Sequence, residues 1–507
     1  MLDELHTYRE NNRLEAKEAR SGLPRSLWET YSAFANSSGG IILLGVAESQ
    51  DGSLHATGVG DADKLVTDFW NTVNNPQKVS ANLLTDDCVR ICSTSGADIV
   101  EIRVPRAPRQ EKPVYLNDNP KRSFRRNNAG DYLCRYEEVQ SMMRDASEVS
   151  QDSRALPNVA LDELVAGTVK SYRQRYRTSH EGHPWNDLPE DEFLRCIGAA
   201  ALAEDGTLHP TGAGLLMFGQ DWRIAEEFPN YFLDYRQQLS SSERWHDRVV
   251  SQSGDWTGNV YDFYYRVYNL MKQALRLPFR LNGTARVDDT PAHRALREAL
   301  ANCLTNANYH ERRGVVCLWE ADRLVIENPG DFRVSLDDAL RGGQSDPRNA
   351  NLMKMFSLID VGERAGSGLP KIMSGWAACG YAAPQYAESF GPDRTSLTLP
   401  LAAASGCDES GENATNRAAG CDESGENATN RAGKCDESDT QRGERAQGGK
   451  ARVLAFVTAH GPSKRADIAS GAGLSVSRTS QLLGELAREG AIVAEGSTRN
   501  RVYRASR

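Results

Sequence analysis

Hydrophobic positions along the chain follow two periods, and these periods predict where its helices and strands lie. An apolar run at 41–47 and an alternating run at 99–105 predict buried strands. Apolar residues spaced three and four apart predict amphipathic helices over 260–275 and 291–309. Helices and strands are therefore mixed along the chain, which predicts a multidomain α/β (α+β) protein.

The same periods predict the remaining elements up to residue 402. A helical stretch is expected at the start of the chain, before the first strand, and another helix near 137–146. Further strands are predicted at 210–219, 230–237, 315–321, 323–330 and 394–401, and a loop followed by a helix at 365–380. These elements form three blocks, followed by a linker and a terminal block, with the bounds 1–148, 149–284, 285–402, 403–448 and 449–507.

The composition is that of a soluble protein with several domains. The 507 residues are 39% hydrophobic and 25% charged, and this length predicts roughly three or four domains. The longest apolar run is far shorter than the ~20 residues of a membrane helix. The N-terminus carries acids where a secretory signal would be basic and then apolar. Because the ten cysteines have neither zinc-ligand nor disulfide-scaffold spacing, we expect reduced thiols, a cytoplasmic location and no membrane contact.

The linker contains a tandem repeat. Two 14-residue copies begin at Cys407 and Cys421, and a shortened copy begins at Cys435. The repeats hold almost no apolar residues, so burial cannot offset the entropy cost of ordering them, and we expect a disordered linker. A metal site on these three cysteines is disfavoured because no histidine lies nearby.

Charge distinguishes the linker from the terminal block. Residues 404–448 hold ten acids and five bases, whereas 449–507 hold ten bases and four acids, a net charge of +6. The terminal block has the order helix, helix, helix and two strands, which is that of a winged helix-turn-helix domain. Such a domain can dock on protein, but the charge favours DNA. The expected DNA contacts are Ser477, Arg478, Thr479 and Gln481 on the third helix, and Arg499 and Arg501 between the strands.

Several short motifs follow one another in the first block. Glu10 and Glu15 lie five residues apart with Lys17 close behind, and AFANSSGG at 33–40 precedes the first buried strand. The run KPVYLNDNPKRSFRR follows at 112–126. In this order the motifs resemble the Schlafen AlbA-like domain, and the resemblance covers most of the first block.

The resemblance implies contact with nucleic acid and leaves three interpretations of the acids open. In nuclease members two glutamates and a third acid hold a divalent cation; here these would be Glu10, Glu15 and either Glu48 or Asp51, with Mn²⁺ or Mg²⁺. Other members are described as binding nucleic acid only, and we favour that interpretation. In the third interpretation Glu15 and Lys17 form a structural ion pair and Glu10 is solvated.

A basic cluster lies in the same block. Lys121, Arg122, Arg125 and Arg126 surround Phe124. Basic side chains next to an aromatic one suit a phosphate backbone and stacked bases. We therefore expect Arg125 and Arg126 to contact nucleic acid; a solvated basic loop is the alternative.

The third block carries polar residues at helical spacing, followed by two motifs with glycine. Glu298, Asn302 and Asn306 lie four residues apart and hence on one helix face. IENPGDF follows a strand at 326–332, and GERAGSGLPKI at 362–372 places glycines before a helix. This ordering resembles the GHKL ATP-binding fold, an α/β sandwich, in the divergent form that follows a Schlafen AlbA-like domain in RecG-related bacterial proteins.

The second resemblance implies a site for ATP and Mg²⁺. Asn302 would coordinate the Mg²⁺, and Glu298 would be the general base if ATP is hydrolysed. Asn328 stands where active relatives carry the acid that contacts the adenine amino group. The other positions carried over from the family as nucleotide contacts are Asn306, Gly330, Gly366, Gly368 and Thr395. The alternative is a scaffold that has lost nucleotide binding and serves in dimerisation.

Together the blocks predict a nucleotide-responsive, DNA-binding transcription regulator that forms a homo-oligomer. The alternative is a metal-dependent nuclease acting on tRNA, other RNA or DNA in stress or phage defence. The sequence contains no G-x-x-x-x-G-K-[ST] motif, so no helicase motor is expected, and any ATP hydrolysis would be slow.

Overall fold

Two units make up the chain in a computed structural model, Met1–Glu409 and Ser410–Arg507. The structure describes residues 10–94, 96–239, 245–275, 281–282, 285–286, 289–362, 366–402, 453–454, 456–458, 462–472, 479, 482–483, 486, 492–495 and 502–505. The first unit mixes helices and strands, as the periodicity predicts. Within the described residues no helix is long and apolar enough to span a membrane. The predicted linker lies outside the described residues.

An N-terminal domain (residues 10–148) has a helix packed on a sheet. Its elements are β1 (Leu14–Lys17), α1 (Ser26–Asn36), β2 (Gly40–Leu44), β3 (Val46–Glu48), β4 (Leu54–Ala56), α2 (Ala62–Val73), β5 (Val89–Thr94), β6 (Ala97–Val104), β7 (Tyr115–Leu116), β8 (Asn119–Asn127), β9 (Gly130–Leu133) and α3 (Tyr136–Ala146). One sheet has the order β1-β2-β6-β5, with β1 parallel to β2 and the other neighbours antiparallel. The strands β7, β8 and β9 form a second sheet, and β3 pairs with β4.

The first predicted strand is confirmed as β2, and it forms because its side chains are buried. Ile42 and Leu44 are fully buried in the core that also contains Phe34 of α1. A Cβ on Gly40 would lie 2.8 Å from the Phe34 ring, so only glycine permits this close approach of helix and strand.

The opening of the chain contains the helix that was predicted before the first buried strand, α1, and also one strand that was not predicted. Where it is described it contains the strand β1, and the first helix begins only at Ser26. Strand β1 pairs with β2 in parallel. This strand was not predicted, because its pairing joins residues that are distant in sequence, and local periodicity does not report such a pairing.

A central domain (residues 149–402) contains the second and third predicted blocks. Its elements are α4 (Ala166–Ser179), α5 (Glu190–Ile197), β10 (Ala200–Leu202), β11 (Leu208–Pro210), α6 (Gly212–Phe218), α7 (Asp221–Glu227), β12 (Leu233–Gln237), β13 (Asp247–Val250), α8 (Val260–Ala274), β14 (Leu281–Asn282), β15 (Ala285–Arg286), α9 (Pro291–Asn306), β16 (Val315–Trp319), β17 (Arg323–Pro329), α10 (Leu336–Arg341), α11 (Ala350–Ser357), α12 (Gly368–Ala377), β18 (Gln385–Ser389) and β19 (Arg394–Pro400). The predicted helices at 260–275 and 291–309 are present as α8 and α9, and their apolar faces pack into the core of this domain.

One sheet joins the two predicted blocks. It has the order β13-β12-β16-β17-β19-β18, in which β12 and β16 are parallel and the other neighbours are antiparallel. The strands β12 and β13 come from the second block and the other four from the third. The boundary predicted at 284 therefore runs through a single sheet and a single hydrophobic core.

The second unit has a small core of its own. Its described elements are β20 (Ser463–Lys464), α13 (Arg465–Ala472), β21 (Ile492–Glu495) and β22 (Val502–Ala505). The antiparallel sheet has the order β20-β22-β21, so the two predicted terminal strands do pair. Val453, Ile468, Leu482 and Ile492 are buried together. The winged-helix assignment stays a prediction, because most of the third predicted helix lies outside the described residues.

Candidate functional site

The sheet of the central domain, α9, α12 and the segment 331–347 enclose a pocket. Its cavity volume is about 130 Å³. Apolar side chains on its walls include Ile326, Met353 and Leu397. Six residues predicted to contact nucleotide line it: Asn302, Asn306, Asn328, Gly366, Gly368 and Thr395. The structure therefore brings residues from four separate segments of the chain to one cavity.

Helix α9 positions the first of these motifs. The helix begins at Pro291, and Thr290 before it accepts a hydrogen bond at Oγ1 from the His293 N–H at 3.4 Å. One turn beyond Glu298, Asn302 donates from Nδ2 to Glu298 Oε1 at 3.2 Å. Because Nδ2 is the donor in this bond, Oδ1 is the atom of Asn302 that can coordinate a cation.

The oxygen atoms on α9 fit Mg²⁺ held together with a nucleotide. Asn302 supplies an amide oxygen that can coordinate the ion, and the buried carboxylate of Glu298, one turn away, is the candidate general base. In nucleotide sites Mg²⁺ takes one or two protein ligands and completes its shell with phosphates and water. Among the described residues no three His, Cys, Asp or Glu side chains form a group that could hold a metal. These residues therefore suit a metal that arrives with phosphates.

Strands β17 and β19 place Asn328 and Thr395 side by side in the pocket wall. The two residues are direct partners in the antiparallel ladder, and both are buried. Asn328 donates from Nδ2 to Pro329 O at 3.1 Å. Its Oδ1 is therefore the atom that can accept a hydrogen bond from the amino group of a base, which is also what a carboxylate would do at this position.

Gly330 lies just beyond these strands and does not line the pocket. Its φ is +100°, and a Cβ there would collide with the guanidinium of Arg348. Arg348 in turn donates from Nη1 to Asn306 O at 2.7 Å. Gly330 therefore shapes the turn and leaves room for Arg348.

Two glycines at the start of α12, Gly366 just before the helix and Gly368 as its first residue, permit close contacts that a side chain would block. A Cβ on Gly366, whose φ is +66°, would lie 2.5 Å from Gln344 O. On Gly368, the first residue of α12, it would lie 2.5 Å from Glu298 Oε1 and 2.6 Å from Asn302 Nδ2. The N-terminus of a ten-residue helix, whose backbone N–H groups attract anions, therefore lies against the polar pair on α9.

Glu298 lies on the other side of this contact from the pocket. It lines an adjoining open groove of about 840 Å³ together with Arg294, Arg297 and Lys371. Gly368 lines the pocket, and a Cβ on it would lie 2.5 Å from Glu298 Oε1, so this glycine lies between the pocket and Glu298. Phosphates that reach Glu298 from the pocket would have to pass this glycine.

Sequence reasoning missed the pocket wall formed by 331–347. Phe332, Gln344 and Asp346 line the cavity from this segment, and Tyr386 lines it from β18. Most of the segment has no regular secondary structure, so no periodicity marks it. The single available signal was its position between the two motifs with glycine.

In the N-terminal domain, Glu15 forms two ion pairs. Its Oε1 lies 2.7 Å from Lys17 Nζ, and its Oε2 lies 2.7 Å from Arg126 Nη2. The interpretation of Glu15 and Lys17 as an ion pair is thus confirmed. Both carboxylate oxygens of Glu15 have cationic partners, so the geometry does not favour Glu15 as a cation ligand.

The other predicted acids do not form a metal site with Glu15 in the described part of this domain. Glu10 Oε1 accepts a hydrogen bond from the Ala16 N–H at 3.0 Å. Burial raises the pKa of Glu10, and the neighbouring charges of Glu15 and Glu48 raise it further. Asp51 Oδ1 instead accepts hydrogen bonds from Ser53. No metal-binding group of three acids is present in the part of this domain that the structure describes.

The structure corrects the expectation for Arg125 and Arg126. Their side chains are only 7% and 1% exposed. Arg125 pairs with Asp393 of the central domain, and Arg126 with Asp131 at 2.9 Å in addition to Glu15. Buried and neutralised guanidinium groups cannot contact phosphates, whereas Lys121 and Arg122 of the same cluster are exposed.

Family models match three parts of the chain. The model "Schlafen, AlbA_2" matches residues 10–135, and "Putative ATP-dependent DNA helicase recG C-terminal" matches residues 319–399. A domain of unknown function, DUF8451, matches residues 140–234. The chain belongs to the RecG-related proteins that carry a Schlafen AlbA_2 domain.

Two solved structures are similar to this RecG-related protein. The N-terminal domain of a RecG-related protein from Nitrosomonas europaea, solved in solution, is 31% identical and covers 26% of this chain and 90% of its own, with a TM-score of 0.21. A crystal structure of a protein from Corynebacterium diphtheriae is 15% identical and covers 98% of this chain and 95% of its own, with a TM-score of 0.41. No curated protein matches the chain significantly.

The matched domains divide the site residues between them. The AlbA_2 domain contains the three glutamates and the basic cluster. The RecG C-terminal domain contains Asn328, the glycines at the start of α12 and Thr395, whereas α9 precedes the matched range. The pocket therefore combines the RecG C-terminal domain with a helix from just outside it.

Of the residues predicted to contact DNA in the terminal block, the structure describes Thr479. Its side chain is fully buried and therefore cannot contact a base. The expectation that Thr479 contacts DNA is therefore corrected. The other predicted contacts lie outside the described residues: Ser477, Arg478, Gln481, Arg499 and Arg501.

Proposed function

We propose that this RecG-related protein binds a nucleotide and nucleic acid and couples the two, most specifically as a DNA-binding transcription regulator. The observation that carries the proposal is the convergence of Asn302, Asn328, Gly368 and Thr395 on one pocket. A nucleoside triphosphate requires an oxygen ligand for Mg²⁺, a hydrogen-bonding group for the base and a helix N-terminus for its phosphates. Asn302, Asn328 and the N-terminus of α12 supply these three groups. ATP is the nucleotide that the RecG family description supports.

The nucleic-acid part of the proposal rests on the two ends of the chain. Lys121 and Arg122 of the AlbA_2 domain are exposed and can contact phosphates. The terminal block carries a net charge of +6 and pairs its last two strands as a wing would. DNA is favoured over RNA because the order of elements in this block is that of a winged helix-turn-helix domain.

A metal-dependent nuclease is the less favoured function. Cation-assisted cleavage needs carboxylates that converge on one metal. Glu15 is engaged by Lys17 and Arg126 instead. We therefore expect the AlbA_2 domain to bind nucleic acid without cutting it.

Titration of labelled duplex DNA with the full-length protein, with and without ATP and Mg²⁺, tests the proposal. We expect ATP to change the dissociation constant for DNA at least about five-fold, as coupled sites do. Asn302→Ala should remove the response, whereas Asn230→Ala on the exposed surface of the central domain should keep it. Deleting residues 449–507 should abolish most salt-sensitive binding.

Two results would contradict the proposal. An identical DNA affinity with and without saturating ATP would exclude coupling between the sites. Wild-type cleavage of tRNA or DNA in Mn²⁺ that disappears in Glu15→Gln would instead establish the nuclease.

A further inference from the structure

The pocket wall 331–347 lies between the pocket and the AlbA_2 domain. Phe332 and Pro347 line the pocket from the inner side of this wall. Asp346, which also lines the pocket, lines a second groove together with Arg106 and Arg109 of the AlbA_2 domain. A movement of the wall therefore changes the pocket and the contact between the domains together.

Two basic side chains of the AlbA_2 domain form ion pairs with the first residue of the wall, Asp331. Arg106 donates from Nη2 to Asp331 Oδ2 at 2.9 Å and to Phe332 O at 2.8 Å, and its Nη1 lies 2.6 Å from Glu388 Oε2. Lys112 Nζ lies 3.0 Å from Asp331 Oδ2. The side chains of Arg106, Lys112 and Asp331 are 18%, 6% and 12% exposed, so water screens these ion pairs weakly.

The end of the wall is held in the same way. Arg109 pairs with Asp346 and donates to Asp145 O at 2.8 Å and to Ser147 O at 2.9 Å. Arg348 meets the carboxylate of Asp145, at the end of α3, with two hydrogen bonds of 2.9 and 2.8 Å. Bidentate ion pairs of this kind fix the relative orientation of the two side chains as well as neutralising their charges.

The pocket is small for the ligand proposed above. Its cavity volume of about 130 Å³ lies below the ~300–1,000 Å³ of typical ligand sites. The sheet and α9 belong to the buried core of the central domain, and Leu300, Leu324 and Leu399 are fully buried there. Residues 331–334 are partly exposed. The segment 331–347 contributes no residue to this core, so it is the wall that an entering nucleotide would have to displace, against the ion pairs to the AlbA_2 domain.

We propose that the AlbA_2 domain holds the pocket in a contracted form, so that nucleotide binding and this domain contact oppose each other. The inference rests on the proposed function, because it concerns the regulation of the same pocket. By linkage, a nucleotide that loosens the contact binds more tightly once the contact is removed. Nucleotide thereby releases the AlbA_2 domain, and this is how the pocket acts on the part of the chain that contacts nucleic acid.

Calorimetric titration of ATP with Mg²⁺ into full-length variants tests this inference. Arg106→Gln and Arg109→Gln each remove cationic contacts to the wall without altering a residue that lines the pocket. We expect each variant to bind ATP at least about five-fold more tightly than the wild type. The matched control is Arg103→Gln, in the same domain, whose half-exposed side chain pairs with Glu101 and not with the wall; it should bind as the wild type does.

Hydrogen exchange of the wild type supplies a second measurement, which needs no variant to fold. Saturating ATP should accelerate amide exchange at 106–112 and leave exchange in α1 unchanged. Folded variants that bind ATP no more tightly than the wild type, or exchange at 106–112 that ATP slows or leaves unchanged, would overturn the inference while leaving the proposed function intact. Absence of ATP binding in the wild type and in every variant would overturn both.

Discussion

Sequence motifs predict two polar sites, the pocket of the central domain and the glutamates of the AlbA_2 domain. In the structure these two sets of polar residues have different surroundings. In the pocket, Asn302, Asn328 and Thr395 line one cavity. In the AlbA_2 domain, Glu15 lies between Lys17 and Arg126, and both of its oxygens are paired. One set of polar residues surrounds a space, whereas the other is neutralised by its own chain.

The difference shows what a motif alone leaves undecided. Residue types and spacing indicate which chemistry is possible, but compensation by distant charges decides whether a side chain remains available to a ligand. Asp331 illustrates both situations. It lines the pocket, but its carboxylate is bound by Arg106, Lys112 and Arg348.

The largest effect is expected where a buried pair is broken in the AlbA_2 domain. Arg126→Ala would leave the carboxylates of Glu15 and Asp131 without their common partner and remove the cation from the Phe34 ring. We expect a loss of about 3–5 kcal/mol in the free energy of unfolding, measured with urea. The exposed Arg122→Ala, 4.0 Å from Glu29, should change it by less than about 0.5 kcal/mol. Equal effects of the two substitutions would show that Glu15 is not structurally paired.

A smaller effect, which depends on pH, is expected at Asp331. Burial alone would raise the pKa of this carboxyl, but the charges of Lys112, Arg106 and Arg348 outweigh burial and hold the pKa well below its ordinary value. Its unfolded pKa is about 3.9. A lowered folded pKa adds stability that is complete above the unfolded value and declines as the pH falls below it.

Asp331→Asn should therefore destabilise the protein more at pH 7 than at pH 3. The difference in the free energy of unfolding between wild type and variant should shrink by about 1 kcal/mol over this interval, because the unfolded carboxyl takes up its proton only in the last unit of pH. Urea unfolding at pH 7, 5 and 3 measures it. A deficit that stays constant or grows toward pH 3 would contradict the ion-pair assignment.

The elements with clear periodicity could be predicted from the sequence, whereas fully buried or long-range ones could not. Helix α9 has a polar and an apolar face, so its period of 3.6 is visible. All seven residues of α6 are buried, so the segment predicted as a strand at 210–219 has no polar positions to reveal a helix. Gly214 permits that helix, because a Cβ would collide with Ala199 O.

The candidate site was predictable to the extent that it depends on local spacing. Asn302 follows Glu298 by one turn, and this places both on one face of a helix wherever the helix lies. The interpretation of the basic cluster as a nucleic-acid contact failed because two of its counterions are distant in sequence. Arg125 pairs with Asp393, and Arg126 with Glu15. No local pattern reports such partners.

Binding of ATP with Mg²⁺ to the full-length protein, followed by thermal unfolding, tests most directly the claim that the pocket is a nucleotide site. ATP should raise the melting temperature because it binds the folded state, with about 2.7 kcal/mol of stabilisation at a hundred times the dissociation constant. Asn302→Ala should remove most of this shift and cost only about 1 kcal/mol of stability without ligand, since it loses one hydrogen bond. Glu298→Ala should keep the shift and stop any slow hydrolysis. A folded wild type whose melting temperature does not change with ATP, ADP or GTP would contradict the claim and favour a scaffold that no longer binds nucleotide.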